Sequence, residues 1–410
     1  MFLIFILLVG LLLLFSLKLY RNIYNPVTVL LIVWGILISL YNYIYYTKSG
    51  CRFLSDKLYV YICIYLLLFS FCNFFINGFY KNRVPKKILV KQTITTDFRI
   101  NMFVNFCLVA NILLILGFIK MCGTVNLIEL IGRMRYITQY EENTIPCTVK
   151  LLMYCFSITP VVFCYIFIEH KKVNKIKLAT LFLELGIVTL LYVSKGRIIK
   201  YMIMFLFLLL LRNKLNFRIM VLVFAGTVGL VYFLTFNRDT YFVNTFTVFD
   251  YIFVYFLSPF PAFDKLINGE IPYCDMPFGG RTLGFFYRVS AKLFGTAVPN
   301  YGKMFINVNA PSGKVPTNVF TALGNHYMDY GFPGIIFFSI LIGVTFALIY
   351  RKSVLSDSLT AKIFYVLVIY CLIFQFFGEL FFQFLSMTIQ DFICVYIVVH
   401  RMRLKKWLIY

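Results

Sequence analysis

Charge is scarce in this sequence, and acid scarcer still. Only 13% of its 410 residues are charged, and 16 Asp and Glu face 39 Lys and Arg. A chain that is 61% hydrophobic with so little charge cannot hide its apolar side chains inside a water-facing globule, so the reading is a membrane protein. The net charge of +23 does not point to nucleic acid, because the bases fall in small groups between apolar runs, with no basic stripe on a polar domain. Metal-ligand patterns are missing too. The 11 cysteines form no Cys-x-x-Cys or Cys/His spacing, and Cys63, Cys72, Cys107, Cys155, Cys164, Cys371 and Cys394 sit within apolar runs as small hydrophobes. No metal or other cofactor is expected. The first apolar run lacks the basic leader and the clear cleavage site of a signal peptide, and it reads as a span.

What is present is a series of apolar runs. About 20 apolar residues cross roughly 30 Å of hydrocarbon. On that template spans are expected near 2–19, 27–47, 58–80, 100–120, 149–169, 178–194, 198–211, 219–236, 331–350, 361–382 and 386–400. The expected fold is thus an all-α polytopic membrane protein of eleven helices. Its parts are residues 1–236 with the first eight spans, an external loop at 237–330, and residues 331–410 with three spans and a basic tail.

Orientation follows from Lys and Arg in the connections. Alternate connections hold 22 bases, among them Lys18, Arg21, Lys86, Lys87, Lys171, Lys172, Arg351, Lys352, Arg401 and Arg403, against the acids Asp97, Glu169 and Asp357. That set is expected in the cytoplasm, which puts the N-terminus outside and the C-terminus inside.

The long external segment holds, or directly precedes, eight of the 12 prolines, and its apolar content argues for a folded, partly helical cap. Ten aromatics crowd residues 241–263, read as an interfacial or re-entrant helix that ends at Ser258-Pro259. Either an aromatic belt at the lipid headgroups or a platform for sugar or lipid fits that stretch.

Three carboxylates, Glu184, Glu379 and Asp391, fall inside expected spans, where an ionisable group is a functional candidate. On the outer side, Lys195-Gly196-Arg197 forms a whole turn between two spans. Arg281, Arg288 and Lys292 are spaced seven and four apart, which on a helix gives one basic face. Guanidinium forks fixed at the outer leaflet suit a lipid-linked pyrophosphate, since Arg binds phosphate oxygens bidentately and keeps its charge. Farther on, Asn318 is placed to cap a helix on which His326 and Asp329 lie three apart. An acid or imidazole there can take the proton of an attacking sugar hydroxyl.

Thr317-Asn318-Val319-Phe320-Thr321-Ala322-Leu323, followed by Asp329-Tyr330-Gly331-Phe332-Pro333-Gly334 at the head of an apolar helix, resembles the Wzy-type oligosaccharide repeat-unit polymerases of O-antigen and capsule synthesis. The turn Ser194-Lys195-Gly196-Arg197 is similar to the Ser-(Arg/Lys)-Gly-Arg turn of the same family. The resemblance covers roughly 180–350 and, through topology, the whole chain. It implies a metal-independent glycosyltransferase of GT-C-like architecture in a bacterial plasma membrane. The growing glycan would leave its undecaprenyl pyrophosphate for a hydroxyl of the next lipid-linked repeat, with membrane lipids, a flippase and a chain-length regulator as partners. Asp329 and His326 become candidate catalytic residues, and Arg197, Lys195, Arg281, Arg288, Lys292 and Asn318 candidate substrate-binding residues. Asn318 stands near the place of the loop histidine of related O-antigen ligases, with His326 eight residues later. The family's paired Arg-x10-Gly loop motifs are absent, since the eleventh residue after Arg281 is Lys292 and after Arg288 is Pro299.

Three other classes compete. A flippase of the same lipid-linked sugars usually has two similar halves and short loops, whereas this chain shows no internal repeat and an odd span count. A multi-pass O-acetyltransferase relies on an early histidine, and the only histidines here are His170, His326 and His400. A prenyl-phosphate-sugar glycosyltransferase needs an acidic first outer loop, and Glu141-Glu142 has no acidic partner of that kind.

Overall fold

A computed structural model describes residues 1–48, 50–78, 97–140, 144–169, 173–192, 195–212, 253–271, 278–296, 305–311, 313–356 and 358–403, with single positions at 218, 225, 226 and 229. In chain order the helices are α1 Phe2–Tyr20, α2 Pro26–Thr47, α3 Asp56–Gly78, α4 Asp97–Cys122, α5 Leu127–Tyr140, α6 Cys147–Phe156, α7 Ile158–Ile168, α8 Lys175–Leu191 and α9 Lys195–Leu211. After a π turn at Phe253–Leu257 come α10 Pro259–Ile267, α11 Gly284–Phe294, strands β1 Ile306–Ala310 and β2 Gly313–Thr317, α12 Ala322–Tyr350, α13 Leu359–Ile373 and α14 Leu385–Arg403. The protein is mostly helical. The β1–β2 hairpin, paired antiparallel from Ile306↔Thr317 to Ala310↔Gly313, is an element the sequence reading did not expect.

Among the described residues seven helical segments are long and apolar enough to cross a membrane: Phe2–Tyr20, Pro26–Thr47, Asp56–Gly78, Phe98–Cys122, Cys147–Ile168, Ala322–Val354 and Leu359–Phe376. The expected runs 178–194, 198–211 and 386–400 are helices as well, but α8 and α9 have only 17 residues each, and α14 carries Gln390, Asp391, His400 and Arg401. Apart from positions 225, 226 and 229, the expected span 219–236 lies outside the described residues, as do residues 241–252 of the aromatic stretch 241–263 and Glu141, Glu142, Asp239 and Asp250.

The chain divides into two compact units. The first comprises Met1–Pro85, Phe236–Ser356 and Val368–Thr388. Asn25 starts α2 by accepting the Thr28 amide at 2.8 Å, with Pro26 at the first helical position where its missing N–H costs nothing. The Asn25 side chain also accepts from the Ser16 hydroxyl at 2.9 Å, joining α1 to α2 through a buried polar contact. The central packing is α3 on α12. A Cβ on Gly343 would stand 3.1 Å from Cys72 Cβ and from the Phe69 backbone, so a side chain there would push the two helices apart. Asn73 seals it by donating to the Gly343 carbonyl at 3.1 Å.

The α10 region of this unit is fastened to the α2–α3 connection. Asp264 of α10, wholly buried, accepts from Arg52 Nε at 3.0 Å and from the Ser55 amide at 3.1 Å. Arg52 also forks onto Glu270 and holds that carboxyl below its ordinary range. Lys265 donates to the Asn307 carbonyl at 2.8 Å, tying α10 to the hairpin. The π turn ends at Leu257 and α10 begins at Pro259 with Ser258 between them, so an element does end at Ser258-Pro259, and a second helix follows at once because proline is tolerated in a first helical turn.

The second unit comprises Lys86–Thr235, Asp357–Leu367 and Ile389–Tyr410. Here α4 packs on α6 and α8, and α7 on α9. The amphipathic α5, another element not foreseen, is braced by Glu129 and Arg133 at 2.7 Å, one turn apart.

Candidate functional site

The site is built on a break in α12. Gly331 sits at φ 64 and ψ −158, a conformation open essentially to glycine alone, and Pro333 follows where its ring prevents the helix from running straight through. Along an unbroken helix, residues twelve apart would lie about 18 Å from each other. Instead the rings of His326 and Phe338 stack at 4.3 Å and 3°. The 322–330 arm therefore folds back against the arm that begins at Gly334. The helix starts one cap later than expected: Thr321, not Asn318, accepts the Gly324 amide, at 3.2 Å, and Asn318 is exposed between β2 and α12.

Asp329, two residues before the break, holds the 278–282 turn in place. One carboxylate oxygen accepts the Arg281 amide at 3.1 Å, and the other accepts the Thr282 amide and hydroxyl, each at 2.7 Å. This fixes the backbone at Arg281, whose guanidinium lies over the Phe320 ring at 5.8 Å. It also changes the expected basic face. Helix α11 begins at Gly284, so Arg281 precedes it, and only Arg288 and Lys292 share an exposed helical face. Arg288 donates to the Gln383 carbonyl at 3.5 Å.

His326 is fully buried, and neither ring nitrogen finds a hydrogen-bond partner among the described residues. The Tyr330 hydroxyl, one turn along the same arm, is likewise buried and unpaired. Both rings pack on Phe338, and Tyr330 also meets Phe278 edge-on at 4.7 Å. Buried polar groups are nearly always satisfied, so two such groups on one helical face mark a place where a polar guest or water completes the bonding.

Behind this face lies the segment that links α13 to α14. Glu379 belongs to it and not to a span, because α13 and its last 3-10 turn end at Phe376. Its carboxylate gathers the backbone amides of Phe381, Phe382 and Gln383 at 2.7–3.0 Å. Burial nevertheless raises the carboxyl to about 7, against the amides that favour the charged form. Next to it Gln375 accepts from the Tyr65 hydroxyl, and Asn325 lies beside Gly378.

The remaining candidates belong to the second unit. Lys195 opens α9, and the Arg197 guanidinium lies 3.8 Å over the Tyr192 ring. Asp391 pairs with Lys200, both buried. Glu184 accepts from Asn111 at 3.2 Å, and Asn111 accepts from Thr159 at 3.2 Å. Each of these two acids thus has a polar partner in its own unit.

No protein-family model matches the chain, and no curated protein or solved structure does. Among the described residues no three metal-binding side chains gather into a site. Within the first unit, then, Arg281, His326 and Asp329 are brought together, Arg288 and Lys292 stand on the adjoining α11, and Asn318 stays on the surface. Tyr330, Thr282 and the Glu379 turn belong to the same neighbourhood. Of these, sequence could have flagged Tyr330 by its spacing of four from His326.

Proposed function

We propose that the chain is an outer-leaflet glycosyltransferase that polymerises lipid-pyrophosphate-linked oligosaccharide repeats, as the Wzy-type resemblance implies. The membrane topology of this reading has eleven spans, with the N-terminus outside and the C-terminus in the cytoplasm of a bacterial plasma membrane. The observation that carries the reading is the pair of buried, unpaired groups at His326 and Tyr330, beside an Arg281 turn anchored by Asp329, within the motif on which the resemblance rests.

In the reaction an acceptor sugar hydroxyl attacks the anomeric carbon of the donor glycan. Its proton passes to an unpaired nitrogen of His326, the anomeric C–O bond breaks, and the lipid pyrophosphate leaves with the bonding electrons. Arg281 stabilises the charge gained by that leaving group, more in the transition state than before it, and the resemblance gives Arg197 a pyrophosphate contact as well. The resemblance gives Asn318 and Lys195 substrate contacts too. Asp329 already accepts three bonds from the 281–282 turn, so its role here is to position Arg281, and His326 takes the part of the base. His326 is enclosed, so the acceptor reaches it only when the arms of α12 part, and Gly331 supplies the hinge.

A reconstituted assay with a purified lipid-pyrophosphate-linked repeat tests this. The wild-type chain should build a glycan ladder, His326→Ala should lose it by more than about 100-fold, and Arg197→Ala should be similarly defective, as should Arg197→Lys because a point charge cannot replace the fork. No ladder from the wild-type chain with any such repeat, or an unimpaired Arg197→Ala, counts against the reading.

A further inference from the structure

Helix α11 has no buried residue along its whole length. Phe286, Val289 and Leu293 recur at the spacing of one helical face, with Phe294 beside them. Their exposures are large for apolar side chains: 53% for Phe286, 69% for Leu293 and 77% for Phe294. Arg288 and Lys292, one turn apart and exposed, occupy the other side. Such a helix does not face water on all sides at equilibrium, for its apolar stripe would be left uncovered.

Two attachments fix its level. At its N-terminal side the Thr282 amide is bound to Asp329, two residues before the Gly331 break from which the apolar arm of α12 departs. In mid-helix Arg288 reaches the carbonyl of Gln383, two residues before α14 begins. Asp329 adjoins the start of the apolar arm of α12, and Gln383 lies in the short segment that follows Leu359–Phe376, both of them helices long and apolar enough to cross a membrane, so α11 lies at the height where hydrocarbon gives way to headgroups. Along the chain on either side of it the charge has one sign. From Met276 to Met328 the sequence contains no acid, while Arg281, Arg288, Lys292, Lys303 and Lys314 supply bases.

We infer that α11 is a membrane-surface helix: its Phe286, Val289, Leu293 and Phe294 side chains enter the outer edge of the acyl region, and Arg288 and Lys292 bind the phosphates of anionic phospholipid headgroups. An amphipathic helix with bases on its polar side binds a bilayer in this way, through apolar burial together with attraction to anionic lipid. The inference does not depend on the reaction that the chain performs. It also gives the loop a floor, since the turn carrying Arg281 is held between Asp329 and a helix that rests on lipid.

The test uses full-length protein in nanodiscs. The sequence has only two tryptophans, Trp34 and Trp407, so Leu293→Trp adds a third emitter whose signal is obtained by subtracting the wild-type spectrum. In discs containing phosphatidylglycerol the added emission should be blue-shifted, and acyl chains brominated near the headgroup should quench it at least twofold more than chains brominated near the methyl end. Replacing phosphatidylglycerol by phosphatidylcholine, or adding Arg288→Gln and Lys292→Gln, should weaken that quenching severalfold. A new tryptophan insensitive to brominated lipid, whether bathed in water or shielded by a second copy of the chain, overturns the inference. Quenching equal in the two lipids with both bases present overturns its headgroup part.

Discussion

Asp329 takes both the amide and the hydroxyl of Thr282 at 2.7 Å, across 47 residues of chain. With the Arg281 amide, three hydrogen bonds from one turn converge on this carboxylate. Hydrogen bonds to a charged group are worth roughly 1.5–3 kcal/mol each, so Asp329→Ala should loosen the 278–296 segment and speed its cleavage in limited proteolysis. Asp329→Asn keeps the shape and one acceptor, and should retain measurable glycan synthesis and partial protection. Thr282→Val should reproduce part of the alanine defect. A dead Asp329→Asn with a wild-type cleavage pattern would make Asp329 the base instead.

The buried Lys200–Asp391 pair predicts a different pattern. Removing one partner leaves the other charge stranded, at a cost of about 3–5 kcal/mol, whereas replacing both with apolar side chains of similar volume is often neutral. Lys200→Met and Asp391→Leu should each sharply lower the melting temperature in detergent, and the double variant should recover most of the loss. If the double variant is as unstable as the two singles combined, the charges do more than balance each other.

Glu379 gives the fold a pH dependence. Its carboxyl is raised to about 7 by burial, above the ordinary 4.5. The folded chain therefore holds that proton more tightly than the unfolded chain. Stability from this source is complete below about pH 4.5, declines as pH rises, and levels off above about pH 7, a loss of at most about 3 kcal/mol. Melting curves from pH 5 to pH 8 should show the decline, and Glu379→Gln should flatten it. A wild-type melting temperature that rises with pH over this range would contradict the assignment.

Gly343 should be intolerant of any side chain. The atoms that a methyl group would meet are backbone and Cβ atoms of α3, which cannot swing aside. Gly343→Ala should lower the melting temperature and Gly343→Leu should prevent stable folding, whereas the same changes at Gly186, with nothing within 4 Å of its Cβ position, should be mild.

Sequence made the apolar helices legible because a run of apolar residues about 20 long has few other uses. Expected spans and observed helices agree within a few residues at α1, α2 and α3. The misplaced end of α13 shows the limit. Residues 374–382 read as continued hydrocarbon, yet Gln375 and Glu379 draw the chain into a turn through bonds to Tyr65 and to backbone amides, which no hydropathy profile registers. The site was legible as a set of residue types and not as roles. His326 and Asp329 sit three apart on one helix as expected, but whether each has a partner depended on Thr282 and on the fold-back at Gly331. The segment from α10 to the β1–β2 hairpin was least legible, because its order comes from contacts such as Lys265 with Asn307, distant in sequence and between unremarkable residues.

Arg52 and Asp264 are 212 residues apart, and that separation sets a clock during synthesis. At roughly 5–20 residues per second, the arginine between α2 and α3 waits about 10–40 s for its carboxylate to be made, and α3 waits longer still for α12. Through that interval the first three helices lack the partners that α10 and α12 later supply. Their polar loop is open to proteases and to foreign partners. A nascent chain stalled before residue 264 should be degraded quickly, and one stalled after residue 350 should survive, so the last third of the chain decides whether the first third persists.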